Sequence, residues 1–324
     1  MEKRVYGVIG ISSIMANWNA DFSGYPKTTS EGQTFGSDKA LKYPMKKMWE
    51  NEGKKVLYIK SMRLSQDGSS LIPRTLKERY EMLFQVENLA ECKDIKVVLQ
   101  NLMSAVDVKN FGATFAESNK NISITGAVQI GQGFNKYEGT NPEEQQILSP
   151  FRDGKEDKKE NKKEDKKEDK KEDKKEALNS TLGTKIVSNE AHYFYPFVIN
   201  PAAYKELTEL GVTEGYTEED YENFRRTALV CATSFATNAK EGCENEFALF
   251  VETDGDVYLP NLSEYILFEK TEGKNRIRLE CGDFLREFSQ GIQKMDVYFN
   301  PYTTDLEGIP EGMKVYDIRT QKEV

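Results

Sequence analysis

The sequence predicts an α+β fold of ferredoxin-like type that carries a large insertion. Two observations predict it. The expected elements run strand, helix, strand, then a long excursion, then helix and strand. The spacing of apolar residues also alternates between the two-residue period of strands and the 3.6-residue period of helices. With 324 residues, the chain is long enough to bury a real core in one large domain or two small ones.

The first half opens with a strand, because apolar and other residues alternate over Val5–Ser12. A polar, glycine-bearing loop covers residues 17–36, and Ser37 or Asp38 is placed to cap the helix that follows it. The elements expected after this loop are the helix Asp38–Asn51, the strand Lys54–Met62, and the helices Thr75–Cys92 and Asp94–Ala105.

The second half mixes strands with one well-marked helix. That helix covers Glu218–Phe235, with Thr217 as its cap and Asp220 at the third position. A further helix starts at Asn200–Pro201, since proline favours the first helical position. The expected strands are Ile122–Ile130, Glu190–Asn200, Glu246–Thr253, Lys294–Asn300 and Lys314–Arg319.

A charge repeat interrupts the chain over Asp157–Glu176, where a four-residue unit of acid, Lys, Lys, Glu recurs. It has no apolar face, so we expect a solvated linker rather than a segment that tethers RNA. Over the slightly longer range Asp153–Glu176, eleven acidic and eleven basic residues balance, so the rest of the chain carries the net charge of −9. A nucleic-acid binder of this charge must concentrate its basic side chains locally.

The sequence lacks the usual motifs of catalytic and metal-binding sites. The four cysteines lack zinc or thioredoxin spacing, and we expect reduced thiols in a cytoplasmic protein. His192 is the one histidine and lies in an aromatic run, which favours a strand histidine over a general base. Asp254-Gly255-Asp256 is typical of a turn. We expect no metal, no cofactor and no membrane span.

The helix Asp38–Asn51 has a basic face. Lys39, Lys42 and Lys46 share one side at helical spacing, and the helix N-terminus beside Ser37 can receive a phosphate. Pro44 predicts a kink that would alter the phase of Lys46. The alternative is an ordinary amphipathic helix with a solvated lysine face. The opposite face is apolar and consists of Leu41, Met45, Met48 and Trp49.

Several short blocks resemble one family, in the same order. They are Asn17-Trp18-Asn19-Ala20-Asp21, Gly36-Ser37-Asp38-Lys39-Ala40-Leu41-Lys42, Asp107-Val108-Lys109-Asn110-Phe111-Gly112-Ala113, Ile124-Thr125-Gly126-Ala127-Val128-Gln129, Leu182-Gly183-Thr184 with His192-Tyr193-Phe194-Tyr195, and Ala232–Phe250. Together they are similar to the backbone subunit of type I Cascade complexes, the seventh Cas family of the RAMP superfamily, in its subtype I-B branch. In that family the Asp107 block is a strand.

The resemblance implies an RRM-like palm with a fingers insertion and a thumb hairpin. It divides the chain into palm (1–62 and 190–324), fingers (63–106), a palm strand running into the thumb (107–131), and the thumb (132–189, with the charged linker at 151–179). The thumb of each copy folds over the guide held by its neighbour. Carried over by position, the RNA-binding residues are Asn17, Asn19, Ser37, Lys39, Lys42, Lys46, Asn238 and Lys240.

The function implied is non-catalytic. The subunit would bind guide CRISPR RNA through its phosphates and polymerise along it, leaving base edges free to pair with target DNA. Its partners would be copies of itself, the large subunit, the guide-handle-binding subunit and the guide-processing endonuclease. Two alternatives stay open: an RNA endonuclease of the type III backbone kind that uses Asp21 or Asp38, and a structural protein without a ligand.

Overall fold

A computed structural model of the protein describes residues 1–149 and 181–324. It is a mixed α+β structure, as predicted, and the charge repeat Asp157–Glu176 lies outside the described residues. The α-helices within these ranges are α1 (Asp38–Asn51), α2 (Leu76–Phe84), α3 (Ile95–Met103), α4 (Val106–Phe111), α5 (Lys205–Glu209), α6 (Glu218–Ala228) and α7 (Gly282–Glu287).

The strands build one large sheet and three small ones. They are β1 (Arg4–Ala16), β2 (Phe35–Gly36), β3 (Met62–Leu64), β4 (Leu71–Pro73), β5 (Gly112–Glu117), β6 (Lys120–Thr125), β7 (Val128–Ile130), β8 (Gly133–Asn135), β9 (Pro142–Ser149), β10 (Thr181–Ile199), β11 (Cys243–Thr253), β12 (Ile266–Glu269), β13 (Asn275–Leu279), β14 (Ile292–Phe299), β15 (Thr304–Glu307) and β16 (Lys314–Asp317).

The large sheet has the strand order β16-β14-β11-β1-β10-β8-β2, and β7 and β9 also pair with β10. Its central strands are antiparallel, with Val5 opposite Ile199 on one side and Arg4 opposite Thr253 on the other. The first part of β10, up to Ser188, forms a two-stranded arm with β9, in which Thr181 lies opposite Ser149. The sheet therefore places β1 at its centre and the arm at one end.

Both faces of the sheet are covered, and the alternation predicted over Val5–Ser12 divides the core in two. Ile9 and Ile11 pack on the face that α1 and α6 cover, whereas Tyr6 and Val8 pack with β12 and β13 on the other face. Gly7 allows a close approach, because a Cβ there would lie 2.3 Å from the Phe197 ring. The strand is thus buried on both sides along most of its length.

Helix α1 forms as the sequence predicts. The Ser37 hydroxyl caps it by accepting a hydrogen bond from the Ala40 N–H at 3.3 Å. Leu41, Met45 and Trp49 are fully buried, so the apolar face is the one that joins the core. The helix continues through Pro44 to Asn51.

The strand predicted at Lys54–Met62 is wrong. Only β3 begins there, at Met62, and the preceding residues are irregular. The buried carboxylate of Asp107 accepts the N–H groups of Leu57 and Tyr58, both at 2.8 Å, so a side chain takes the place of a partner strand. Most of the strand expected at the Asp107 block is likewise helix α4, which ends at Phe111, before Gly112 at a positive φ.

Three other elements have different limits from those predicted. The strand Ile122–Ile130 is divided into β6 and β7 at Gly126, where a Cβ would lie 2.2 Å from the Phe111 carbonyl carbon. The helix predicted to Phe235 ends at Ala228, because Asn245 donates to the Ala228 carbonyl and accepts from the Ala232 N–H. Helix α2 stops at Phe84, before Gln85 in the left-handed region.

The remaining predicted elements are confirmed within one or a few residues, except that β10 begins at Thr181 rather than at Glu190. They are α3, the helical start at Pro201, the Thr217–Asp220 capping box of α6, strands β10, β11, β14 and β16, and the turn at Gly255–Asp256. Over residues 1–149 and 181–324, no helix is long and apolar enough to cross a membrane.

Candidate nucleic-acid interface

The basic face of α1 lines an open groove of about 490 Å³. Its floor and far wall come from Tyr58, Phe111 and the start of β5. Lys39, Lys42 and Lys46 all line this groove, so the predicted shared face is confirmed and Pro44 does not take Lys46 out of phase with the other two. The N-terminal half of α1 therefore presents cations to solvent while its opposite face anchors the helix.

The three lysines differ in their availability. Lys39 is exposed and forms no ion pair with any residue of 1–149 or 181–324. The Lys42 ammonium lies 2.8 Å from the Asp38 carboxylate. The Lys46 ammonium points inward, donating to the Tyr58 carbonyl at 3.2 Å and lying 3.8 Å from Asp107. Burial lowers the pKa of Lys46, against the opposing effect of Asp107.

The helix N-terminus is fixed by the loop that precedes it. The Asn19 carboxamide oxygen accepts the Ser37 N–H at 2.7 Å, so two of the predicted site residues are in direct contact. Ser37 in turn caps the helix. A contact of this kind sets where the free N–H groups of the first turn point, which matters for any phosphate bound there.

A second group of predicted site residues meets at the end of β1. The Lys240 ammonium donates to the backbone carbonyls of Asn17, at 2.6 Å, and Trp18, and burial lowers its pKa. Asn17 is itself buried and its amide donates to the carbonyls of Gly24 and Ile186. These contacts position the loop 17–36.

Asn238 is exposed, and its side-chain oxygen accepts from Lys185 on the arm at 3.2 Å. It therefore connects the loop before β11 with the arm and stays accessible from solvent. Contact of any of the eight predicted residues with RNA stays a prediction.

Sequence reasoning missed a neighbouring cavity of about 490 Å³ that shares Asp38 and Lys39 with the groove. Lys27, Phe35 and Phe134 line it. Lys27 occurs in a loop that the sequence identifies only as polar, and the two rings lie on β2 and β8, which are too short to show a period. Among the described residues lining the two cavities, Asp38 supplies the one carboxylate.

The carboxylates considered for catalysis have local partners. Asp21 accepts from the Ser23 N–H, the Ser23 hydroxyl and the Tyr25 N–H, at 2.7–3.1 Å. The Ser23 hydrogen bond lowers the pKa of Asp21. Asp38 is paired with Lys42. In the described parts of the chain, no group of three or more His, Cys, Asp or Glu side chains is arranged to hold a metal ion.

His192 is a buried strand histidine, with its ring 1% exposed between two carboxylates. Its Nδ1 lies 2.8 Å from Glu246 and its Nε2 lies 3.0 Å from Glu190, while Phe268 stacks on the ring at 3.9 Å. Burial disfavours the charged ring, but Glu246 and Glu190 outweigh it and raise the pKa of His192. The residue therefore joins β10, β11 and β12.

Comparison with known proteins supplies the family. The model of the family described as CRISPR-associated protein Cas7 matches residues 3–289. No curated protein sequence matches the chain significantly.

Two solved structures align with most of the chain. A chain of a "CRISPR RNA-guided surveillance complex, pre-nicking" aligns with a TM-score of 0.53 and 15% identity, covering 97% of this chain and 96% of that one. A chain of a "CRISPR RNA-guided surveillance complex" aligns with a TM-score of 0.45 and 15% identity, covering 92% of this chain and 91% of that one. The first similarity concerns the fold alone. Because the family model covers most of the sequence, the chain belongs to the CRISPR-associated protein Cas7 family.

Proposed function

We propose that this protein binds guide CRISPR RNA through the phosphate backbone and polymerises along it as the backbone of a Cascade complex. The guide is then presented for pairing with target DNA in antiviral defence. Membership of the Cas7 family supports the role. So does the resemblance of the fold to a chain of an RNA-guided surveillance complex.

One observation carries the proposal: the lysine-lined groove beside the capped N-terminus of α1. The chain is acidic overall, with a net charge of −9, yet this groove and its neighbour hold four lysines against one carboxylate. Lysines contact phosphates without reading bases, as a protein that accepts guides of any sequence must do.

The eight residues predicted to bind RNA divide into two roles in this proposal. Lys39 and Lys42, with the first-turn N–H groups beside Ser37, contact phosphates. Asn19 acts through its hydrogen bond to Ser37, and Lys46 shapes the groove from within. Asn17 and Lys240 hold the loop that carries Asn19, while Asn238 contacts the guide from the loop before β11.

The architecture proposed is an RRM-like palm with fingers and thumb, of the I-B branch. The antiparallel order β11-β1-β10-β8 supports a ferredoxin-like palm, made of residues 1–62 and 190–324. Residues 63–106, with α2 and α3, form the fingers. Residues 107–131, which form α4 and the strands β5–β7 rather than one palm strand, lead into the thumb of 132–189, to which the β9–β10 arm belongs. The partners proposed are further copies, the large subunit, the guide-handle-binding subunit and the guide-processing endonuclease, in the cytoplasm.

Co-purification from cells that carry a CRISPR array tests the proposal. We expect the complex to retain RNAs of uniform length whose spacers are unrelated in sequence. Protein free of RNA, or RNA of every length and origin, would contradict it. The same preparation, incubated with complementary RNA and Mg²⁺, should leave that RNA intact; cleavage lost in Asp21→Ala or Asp38→Ala would instead establish the nuclease alternative.

A further inference from the structure

Two phenylalanine rings lie beside the lysine groove, in the cavity that Lys39 shares with it. Phe134 is 39% exposed, whereas most large aromatic side chains of the sheet are buried. Its ring centroid is 6.1 Å from that of Phe35, with 43° between the ring planes. An exposed ring with an aromatic neighbour provides a π surface on which a flat group can stack.

The backbone beneath these rings is held in place from both sides. Phe35 and Phe134 lie opposite each other in the β2–β8 pair. The Phe35 N–H donates to the Lys27 carbonyl at 2.9 Å, and the Asn135 N–H donates to the Thr34 carbonyl at 3.0 Å. The rings are therefore presented by paired strands rather than by a free loop.

Two cations adjoin the rings. The Lys27 ammonium is 5.6 Å from the Phe35 centroid, and Lys39 lines the same cavity. Both lysines are exposed, and within residues 1–149 and 181–324 neither forms an ion pair. Asp38, the carboxylate at this place, is already paired with Lys42. The cavity thus offers a π surface and two available positive charges.

We propose that this cavity is a nucleotide subsite, in which one base of the bound RNA stacks on Phe134 and its phosphate contacts Lys27 and Lys39. The inference rests on the proposed function and adds the class of group that this part of the site takes. A nucleotide carries both complementary features, a flat base and an anion, and stacking tolerates any base. The volume of about 490 Å³ lies within the range of roughly 300–1,000 Å³ that is usual for small-ligand sites.

The test uses the assembled complex with RNA that carries 5-iodouridine at successive single positions. Ultraviolet light joins this base to an aromatic side chain that stacks on it, and mass spectrometry identifies the residue. We expect a crosslink at Phe134. Phe134→Leu, which keeps an apolar side chain without a π face, should abolish it and weaken RNA binding by roughly 5- to 100-fold. The salt dependence of RNA binding by Phe134→Leu should stay unchanged, because this variant loses no phosphate contact.

Two controls separate this subsite from the function as a whole. Lys27→Ala should reduce the log–log salt slope by about 0.7, and Tyr302→Leu, at another exposed ring, should change nothing. Normal RNA binding by Phe134→Leu, with no crosslink at Phe134 in the unaltered protein, would overturn the subsite and leave the proposed function standing. Failed polymerisation with normal affinity per subunit would assign the rings to contact between copies and also overturn the subsite. If the unaltered protein binds no RNA, both proposals fail.

Discussion

Lys39, Lys42 and Lys46 lie on the same helix face and line the same groove, but only Lys39 is free of a local partner within the described residues. The ion pair of Lys42 with Asp38 is partly exposed, with side-chain exposures of 16% and 26%. Exposed pairs of this kind contribute about 0.2–1 kcal/mol. In the proposed function, a phosphate would displace Asp38 at modest cost, so Asp38 would compete weakly for the site.

Asp38→Asn should strengthen RNA binding, because it removes the carboxylate that pairs with Lys42. A gain of roughly 1.5- to 5-fold corresponds to the value of an exposed ion pair. The helix should lose a little stability, since an acid in the first turn complements the helix dipole. Fluorescence anisotropy with a labelled guide-length RNA measures the change in affinity. Asp21→Asn is the control variant. Weaker binding in Asp38→Asn alone would show that the carboxylate supports the site.

At the scale of elements, the sequence predicts what is long and periodic. The alternation of β1 and the apolar stripe and cap of α1 are visible in the residues themselves, and both elements formed as predicted. The irregular stretch after α1 does not follow from the local sequence, because its N–H groups bond to Asp107, about fifty positions later. Strands β2 and β8, which carry Phe35 and Phe134, contain two and three residues, too few to show a period.

Separation along the chain also decides which site residues the sequence can predict. The face shared by Lys39, Lys42 and Lys46 follows from helical spacing and is local. Lys240 bonds to carbonyls more than two hundred positions away, and no periodicity reveals such a contact. The sequence thus predicts the basic face of α1. It predicts neither the hydrogen bonds of Lys240 that position the preceding loop nor the neighbouring cavity lined by Phe35 and Phe134.

His192 connects β10, β11 and β12 through Glu190, Glu246 and Phe268, with Lys270 also bound to Glu190. Because its pKa is raised in the folded state, the charged ring stabilises the fold fully below its unfolded pKa of about 6.5. That stabilisation is lost as the pH rises through the folded-state pKa.

The free energy of unfolding of the unaltered protein should therefore exceed that of His192→Gln most at about pH 6 and least at about pH 9. Urea unfolding at several pH values gives this difference. Glu246→Gln is the matched control, since removal of the nearest carboxylate should flatten the same dependence. A difference between the unaltered protein and His192→Gln that is constant with pH would show that the ring acts only through packing.

At the scale of the whole molecule, a net charge of −9 is compatible with RNA binding because the two adjoining cavities are locally basic, with Lys27 and the three lysines of α1 against Asp38. In a polymer on one RNA, every copy contributes its own groove, so a small loss per subunit is multiplied along the assembly. We propose above all that the groove lined by Lys39, Lys42 and Lys46 binds RNA phosphates whatever the base sequence of the guide.

The salt dependence of RNA affinity tests that claim most directly. Lys39→Ala is compared with Lys47→Ala, which removes the same charge from the same helix at a side chain paired with Glu50, using two guides of unrelated sequence. We expect Lys39→Ala to reduce the log–log slope by about 0.7 for both guides, and Lys47→Ala to leave it unchanged. Equal slopes in the two variants, or a loss that depends on guide sequence, would contradict the account.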